Sequence, residues 1–254
     1  MFLPVTPHGQ VPVTAAGEPV LVENVPGGVG KHAVVDLGTL QACAYPEDGA
    51  SELGWLESAT FFADQPVILQ AIALIRNRRE QRFDPRTGHK LDYPAPGIVG
   101  RDPVDERRMV FPRLDPAVIG LIRLSGTDRI LLARNRRRTS FFSLIAGYVE
   151  PGETAEAAFA REALEETGRR VDDIRYWGSQ AWPPSGSLML GFCASTADVH
   201  PTCHTDGELE EIRWVERAEL PELKLPRPGS IAHTMIMEWY HLSLIHISEP
   251  TRLL

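Results

Sequence analysis

Three glutamates, Glu162, Glu165 and Glu166, lie within five residues of one another in this chain. On an α-helix, residues three and four positions apart share a face, so these carboxylates would converge. Like charges at that spacing repel one another, so they lower the stability of a helix unless the acidic residues serve a function. Hard divalent cations such as Mg²⁺ prefer carboxylate oxygens and commonly bridge them to phosphates. The spacing therefore indicates a metal site that acts on a phosphate compound, with a solvated acidic helix face as the alternative.

The sequence around these glutamates predicts a helix with defined ends, over residues 154–167. Pro151, Gly152, Glu153 and Thr154 precede it, and Gly168 stands where a C-terminal cap is expected. The opposite face offers small apolar side chains that would pack on a sheet: Ala157, Phe159, Ala160, Ala163 and Leu164.

Seven residues of this segment resemble the Nudix box, G-x5-E-x7-R-E-U-x-E-E-x-G-U, where U is a bulky apolar residue. The matching residues are Gly147, Glu153, Arg161, Glu162, Glu165, Glu166 and Gly168. Two U positions depart from the pattern, because Ala163 is small and Arg169 is charged. The resemblance implies metal-dependent hydrolysis of a nucleoside diphosphate linkage. It also implies an α/β (α+β) fold, the Nudix α/β/α sandwich with a mixed sheet.

The resemblance further implies the role of each site residue. Mg²⁺ or Mn²⁺ would be held by Ala146, through its backbone carbonyl, and by Glu162, Glu165, Glu166 and Glu208. Glu165 would be either a ligand or an orienting group. Arg161 and Glu153 complete the predicted catalytic set; we expect them to pair and fix the loop before the helix.

A second motif, in residues 179–189, narrows the substrate. It resembles the S-Q-P-W-P-F-P-x-S-L-M signature of NAD(H) diphosphatases, which split NAD(H) into nicotinamide mononucleotide and AMP; some members remove NAD caps from RNA. The predicted substrate-binding residues are Gln180, Ala181, Trp182, Pro183, Pro184, Ser185, Gly186 and Ser187, together with Phe111 and Ala232. Pro184 replaces an aromatic residue that could stack on a flat ring. The alternative is a proline-rich surface loop anchored by its tryptophan.

Composition along the chain predicts four segments. Residues 1–82 would form a smaller α+β N-terminal domain of short strands and turns, ending in a helix over residues 60–82. Residues 83–111, rich in Gly and Pro, would be a connector, and residues 112–242 the Nudix hydrolase domain. Residues 243–254 resemble a translated sequencing adapter, so we expect this tail to be non-native.

The connector resembles a zinc ribbon that has lost its ligands. Asp84, Thr87, Pro103 and Glu106 stand at the expected cysteine positions, and no cysteine lies between Cys43 and Cys193. A structural zinc needs about four nitrogen or sulfur ligands. His89 alone cannot supply them, so we predict that the protein holds no structural zinc and that His89 is a turn residue.

The net charge of -8 argues against general binding to DNA or anionic membranes. The first ten residues lack a signal-peptide pattern, so we expect a cytoplasmic protein, and the resemblance implies a homodimer. The expected partner is NAD(H), with NAD-capped RNA as a further candidate. Two alternatives are open: a Nudix hydrolase for another dinucleotide or a nucleotide sugar, and a non-catalytic Nudix domain that senses a nucleotide.

Overall fold

The computed structural model describes residues 1–25, 34–137 and 140–248, with side chains described as far as His241. The chain divides into two compact units. The first comprises Met1–Leu114 together with Ala181–Ser187, and the second comprises Asp115–Gln180 together with the chain from Leu188 onward. Within the described residues, no helix is long and apolar enough to cross a membrane.

The first unit is a small α+β arrangement. Its described elements are β1 (Phe2–Val5), β2 (Val11–Val13), β3 (Val34–Asp36), β4 (Gln41–Ala44), α1 (Glu47–Leu53), β5 (Trp55–Glu57), α2 (Pro66–Glu80), β6 (Gly100–Arg101) and β7 (Met109–Val110). Strand β4 lies between β1, to which it is parallel, and β3, to which it is antiparallel. The strand pairs β2–β5 and β6–β7 are antiparallel. The short helix α1 falls where only strands and turns were predicted.

Helix α2 packs its apolar face on this unit's core, but it starts later than predicted. Residues Ala59–Phe62 form a separate 3-10 turn, and the α-helix begins only at Pro66. Proline disfavours the α conformation of the residue before it, and Gln65 has φ -116° and ψ 77°. The predicted helix over 60–82 is therefore wrong at its start, while Ile68, Ile72 and Ile75 are buried as a helical face requires.

The second unit is built on a six-stranded sheet. Its described elements are β8 (Asp115–Leu124), β9 (Ile130–Asn135), β10 (Ile145–Tyr148), α3 (Ala155–Thr167), β11 (Asp172–Trp182), β12 (Ser187–Thr196), β13 (Leu209–Val215) and α4 (Ile231–Ser248). The strand order is β11-β12-β8-β9-β13, and β10 pairs with β8. The tail predicted over residues 243–254 is helical to Ser248, and residues 249–254 lie outside the described chain.

The central strand β8 has a helix on each side, because alternate residues face opposite directions. Val118 and Ile122 lie in one core with α3, whereas Ile119 and Leu121 lie in the other with α4. Helix α3 approaches closely, since a Cβ added at Gly120 would overlap the ring of Phe159. The predicted α/β/α sandwich is confirmed.

Two buried aspartates fold the connector into a pair of similar turns. Asp84 Oδ1 accepts the backbone N–H groups of Arg86 and Thr87, at 2.7 and 3.2 Å. Asp102 Oδ1 likewise accepts the N–H groups two and three residues later, at 2.8 and 3.3 Å. This is the Asx turn, in which the side chain satisfies the local backbone.

The second of these turns begins at Asp102, one residue before Pro103. An Asx turn needs a short side-chain acceptor at its first position, which aspartate has and proline lacks. The assignment of Pro103 and Glu106 to the cysteine positions stays a prediction.

Side chains cross-link the two turns directly. Arg108 donates to Asp84 from Nε at 3.1 Å and from Nη2 at 2.9 Å. Asp102 accepts the Thr87 hydroxyl at 2.6 Å, and His89 Nδ1 lies 3.1 Å from the same carboxylate. The Arg108 hydrogen bonds lower the pKa of Asp84, and the Thr87 hydroxyl is the main cause of the lowered pKa of Asp102.

We predict that the purified protein contains no stoichiometric zinc. Elemental analysis measures this, and one tightly held zinc per chain would contradict the prediction.

We predict that Asp102→Asn lowers the melting temperature of the protein. A carboxylate whose pKa is depressed on folding contributes stability above its unfolded pKa, about 3.9 for aspartate, and loses it as the pH falls through the folded value. The difference from wild type should therefore be constant above about pH 5 and shrink as the pH falls further. Thermal melts across this pH range make the test, with substitution of the exposed Asp92 by Asn as the control. An unchanged melting temperature in Asp102→Asn would contradict the prediction.

Candidate active site

The helix that carries the acidic residues has both of its predicted caps. Thr154 is the N-cap, and its hydroxyl accepts the backbone N–H of Ala157 at 3.2 Å. Gly168 ends the helix with φ 68°, in the left-handed region that glycine adopts without strain. The prediction over 154–167 is confirmed, with one correction: Ala158 is buried against the sheet and Ala157 is exposed.

Arg161 joins the helix to the loop that precedes it. Its Nε and Nη2 donate to the two carboxylate oxygens of Glu153, at 2.7 and 3.0 Å, and Nη2 also donates to the Tyr148 carbonyl at 2.9 Å. Its Nη1 donates to Glu162 and to Glu165, each at 2.9 Å. The expected Arg161–Glu153 pair is confirmed, and it has the two-pronged geometry that gives such pairs their directionality.

Glu162 lies directly against the backbone of β10. A Cβ added at Gly147 would overlap the Glu162 carboxylate, so only glycine leaves room for this side chain. Ala146 is the neighbouring residue of β10 and pairs with Ile119 of β8. Burial raises the pKa of Glu162, and the hydrogen bond from Arg161 opposes that rise.

Glu166 is the most deeply buried carboxylate of the set, with 6% of the residue exposed. Burial raises its pKa to about 8, and the negative charges of Glu162, Asp206, Glu208 and Glu165 add to the shift. Such a shift from burial and neighbouring like charges is typical of functional sites.

The segment before β13 brings further carboxylates to the helix. The Asp206 N–H donates to the Glu165 carbonyl at 2.9 Å, and the Glu208 N–H donates to Asp206 Oδ1 at 2.9 Å. Glu208 was predicted for this site, whereas Asp206 was missed. The acidic turn Asp206-Gly207-Glu208 is the feature that could have identified it, since Gly207 has φ 81° and marks a tight turn.

These residues have the donor chemistry that Mg²⁺ and Mn²⁺ require. Glu162, Glu165, Glu166, Asp206 and Glu208 all offer carboxylate oxygens, and a divalent cation would relieve the repulsion that raises the pKa of Glu166. Across the described residues, no three metal-binding side chains are close enough together to surround an ion. Arg161 Nη1 instead holds Glu162 and Glu165. The donor set therefore fits the metal in type.

The charged residue at the last Nudix-box position is accommodated by hydrogen bonding. Arg169 is 5% exposed, and its guanidinium donates to the Thr167 carbonyl at 2.7 Å and the Val199 carbonyl at 2.9 Å. It also lies 5.6 Å from the Trp214 ring centroid. The backbone carbonyls and the aromatic ring thus replace the apolar contact that the motif predicts.

Two of the predicted substrate-binding residues lie at the start of α4, within the second unit. Gln180 donates to the Gly229 carbonyl and accepts the Ile231 N–H, both at 2.7 Å. Ala232 is buried in the core formed with α4. The Gln180 amide is therefore engaged in fixing the N-terminus of this helix, which was not predicted.

The other predicted substrate-binding residues group with the first unit. Residues Ala181–Ser187 form a turn in which Pro183, Gly186 and Ser187 are buried and Ala181 and Pro184 are exposed. Phe111 is 61% exposed. It lines a groove of about 430 Å³ together with Arg86, Arg108 and Met109. The grouping of residues 181–187 with the N-terminal unit was not predicted.

Comparisons with known proteins agree with this architecture. The NUDIX domain family matches residues 113–240. The NAD-capped RNA hydrolase NudC of Mycobacterium bovis is 35% identical over 239 residues, which cover 87% of this chain and 75% of that protein. NudC of Edwardsiella ictaluri is 33% identical over 234 residues, covering 91% and 86% respectively. A NUDIX hydrolase from Nitrosomonas europaea shares the fold, with a TM-score of 0.50 over 67% of this chain and 95% of that one at 22% identity. The chain belongs to the Nudix hydrolase family.

Proposed function

We propose that this hydrolase splits the diphosphate bond of NAD(H) into nicotinamide mononucleotide and AMP, with NAD-capped RNA as a second substrate. The observation that carries the proposal is the buried carboxylate of Glu166, surrounded by Glu162, Glu165, Asp206 and Glu208. The substrate assignment is supported by the motif at residues 179–189 and by relatives named NAD-capped RNA hydrolases.

The chain's own residues would bind and orient the diphosphate. Glu162, Glu166 and Glu208, with the Ala146 carbonyl, would hold Mg²⁺ or Mn²⁺, and Glu165 would either join them or orient them. A bound Mg²⁺ or Mn²⁺ supplies Lewis-acid stabilisation of the charge on the diphosphate oxygens. Arg161 would keep the carboxylates in place through its bonds to Glu153, Glu162 and Glu165.

Two alternatives differ from this proposal in what they require of the site. A nucleotide sensor does not need a complete set of acidic residues, so the full carboxylate cluster favours an enzyme. A hydrolase for another dinucleotide or a nucleotide sugar is favoured by one observation, the exposed Pro184 at the position of the motif's aromatic residue. The homodimer implied by the resemblance and the expected cytoplasmic location stay predictions.

The test is hydrolysis of NADH, NAD⁺, ADP-ribose, diadenosine polyphosphates and NAD-capped RNA, each with Mg²⁺ and with Mn²⁺. We expect NADH or NAD⁺ to give nicotinamide mononucleotide and AMP in equal amounts, detected by chromatography. Preference for a different diphosphate would overturn the substrate assignment. No hydrolysis of any substrate in the panel would support a nucleotide sensor instead.

In the same assay, we predict that Glu166→Gln lowers kcat by about 10²–10³-fold or more, the typical effect of losing one preorganised electrostatic contact. The substitution keeps the size of the side chain and removes a buried carboxyl group whose ionised form its neighbours repel, so the melting temperature of the metal-free protein should not fall. The control is Glu156→Gln, an exposed glutamate on the first turn of the same helix, which should keep wild-type activity. Near-normal turnover by Glu166→Gln would exclude the acidic cluster as the metal site.

We predict that Trp182→Ala raises the KM for NADH while kcat stays within a few-fold of wild type. Binding energy from a group remote from the reacting atoms is lost with that group, whereas the chemistry at the diphosphate is retained. Steady-state kinetics gives both values. Restoring the motif's aromatic residue with Pro184→Phe should lower the KM. Equal KM values in wild type and Trp182→Ala would show that the loop is structural and remove its support for NAD(H).

A further inference from the structure

One arginine of the N-terminal unit lies against the loop that carries Trp182. A Cβ added at Gly186 would overlap Nη1 of Arg76, so the Arg76 guanidinium occupies the space where a side chain at position 186 would lie. Gly186 has φ 70°, a left-handed conformation that favours glycine. Arg76 therefore contacts Gly186, where two features of the loop call for glycine. The backbone conformation is left-handed, and a side chain at this position would overlap Arg76.

The turn transmits the position of Gly186 to Trp182. The Gly186 N–H donates to the Trp182 carbonyl at 3.0 Å and to the Pro183 carbonyl at 3.2 Å, and the Ser185 N–H also donates to Trp182 at 3.3 Å. The hydroxyl oxygens of Ser185 and Ser187 are 2.8 Å apart. Because these bonds close the loop within five residues, a shift of Gly186 moves the backbone of Trp182.

The Arg76 side chain is itself held in place. It forms an ion pair with Glu80 one turn later on α2, at 2.8 Å, and 24% of the side chain is exposed. The preceding residues Ile72 and Ile75 lie in the hydrophobic core of the first unit. The ion pair and the partial burial restrict the conformations of the guanidinium that lies beside the loop.

We propose that Arg76 is a positioning residue, which sets the conformation of residues 181–187 and through it the affinity for the base end of the dinucleotide. This inference rests on the proposed function of the loop. It gives the N-terminal unit a role in substrate selection, through a contact within that unit.

The first test is the kinetics of Arg76→Ala with NADH. The KM should rise about three- to tenfold, the range expected when one or two side chains lose their pre-ordering, while kcat stays within about twofold. Arg76→Lys keeps the charge and the pairing with Glu80 but lacks the planar group, so it should recover part of the affinity. The control is Arg82→Ala, which removes an exposed arginine just beyond the same helix. Unchanged KM in Arg76→Ala, or an equal rise in Arg82→Ala, would overturn the inference.

A double-mutant cycle with Trp182→Ala separates positioning from a general loss of stability. If Arg76 acts through the loop, the KM of the double variant should equal that of Trp182→Ala alone. KM effects that multiply would show that Arg76 acts independently of Trp182 and contradict the inference. A rise in KM for Trp182→Ala without one for Arg76→Ala would overturn this inference alone. Absence of a rise in Trp182→Ala would instead count against the loop's proposed role in binding NAD(H).

Discussion

The hydrogen bonds of Arg161 are the constraint on which the candidate active site depends. One guanidinium contacts Glu153 and the Tyr148 carbonyl before the helix, and Glu162 and Glu165 on it. These contacts fix the loop, the end of β10 and the second and third turns of α3 relative to one another. Because the guanidinium is planar and always charged, it holds several acceptors at defined angles, which a lysine could not.

The placement of this positive charge leaves part of the cluster without compensation. Arg161 pairs with Glu153, Glu162 and Glu165, whereas in the described chain Glu166, Asp206 and Glu208 have no basic partner. Burial of Glu166 among like charges destabilises its ionised form, and the sandwich tolerates this because α3 and β10 are held by apolar packing elsewhere. This uncompensated negative charge supports the proposed cation site.

Local sequence predicted helix α3 and the Arg161–Glu153 pair better than it predicted the elements around them. Helix α3 could be recognised because its caps, Thr154 and Gly168, act on the backbone next to them and can be read from the neighbouring sequence. Asp206 was missed because its proximity to Glu166 arises from the packing of β13 beside the helix, and the acidic turn around Gly207 was its one local signal. The grouping of residues 181–187 with the N-terminal unit likewise depends on contacts distant in sequence.

Direct measurement of Mn²⁺ binding to Arg161→Lys tests the central claim that Arg161 organises the carboxylates. Groups that orient metal ligands typically contribute about 10- to 100-fold to metal affinity. Calorimetric titration of the variant with Mn²⁺ should therefore give a Kd raised by about that factor, while circular dichroism shows unchanged helix content. A wild-type Kd for Mn²⁺ in folded Arg161→Lys would contradict the account, because the carboxylates would then be organised without the guanidinium.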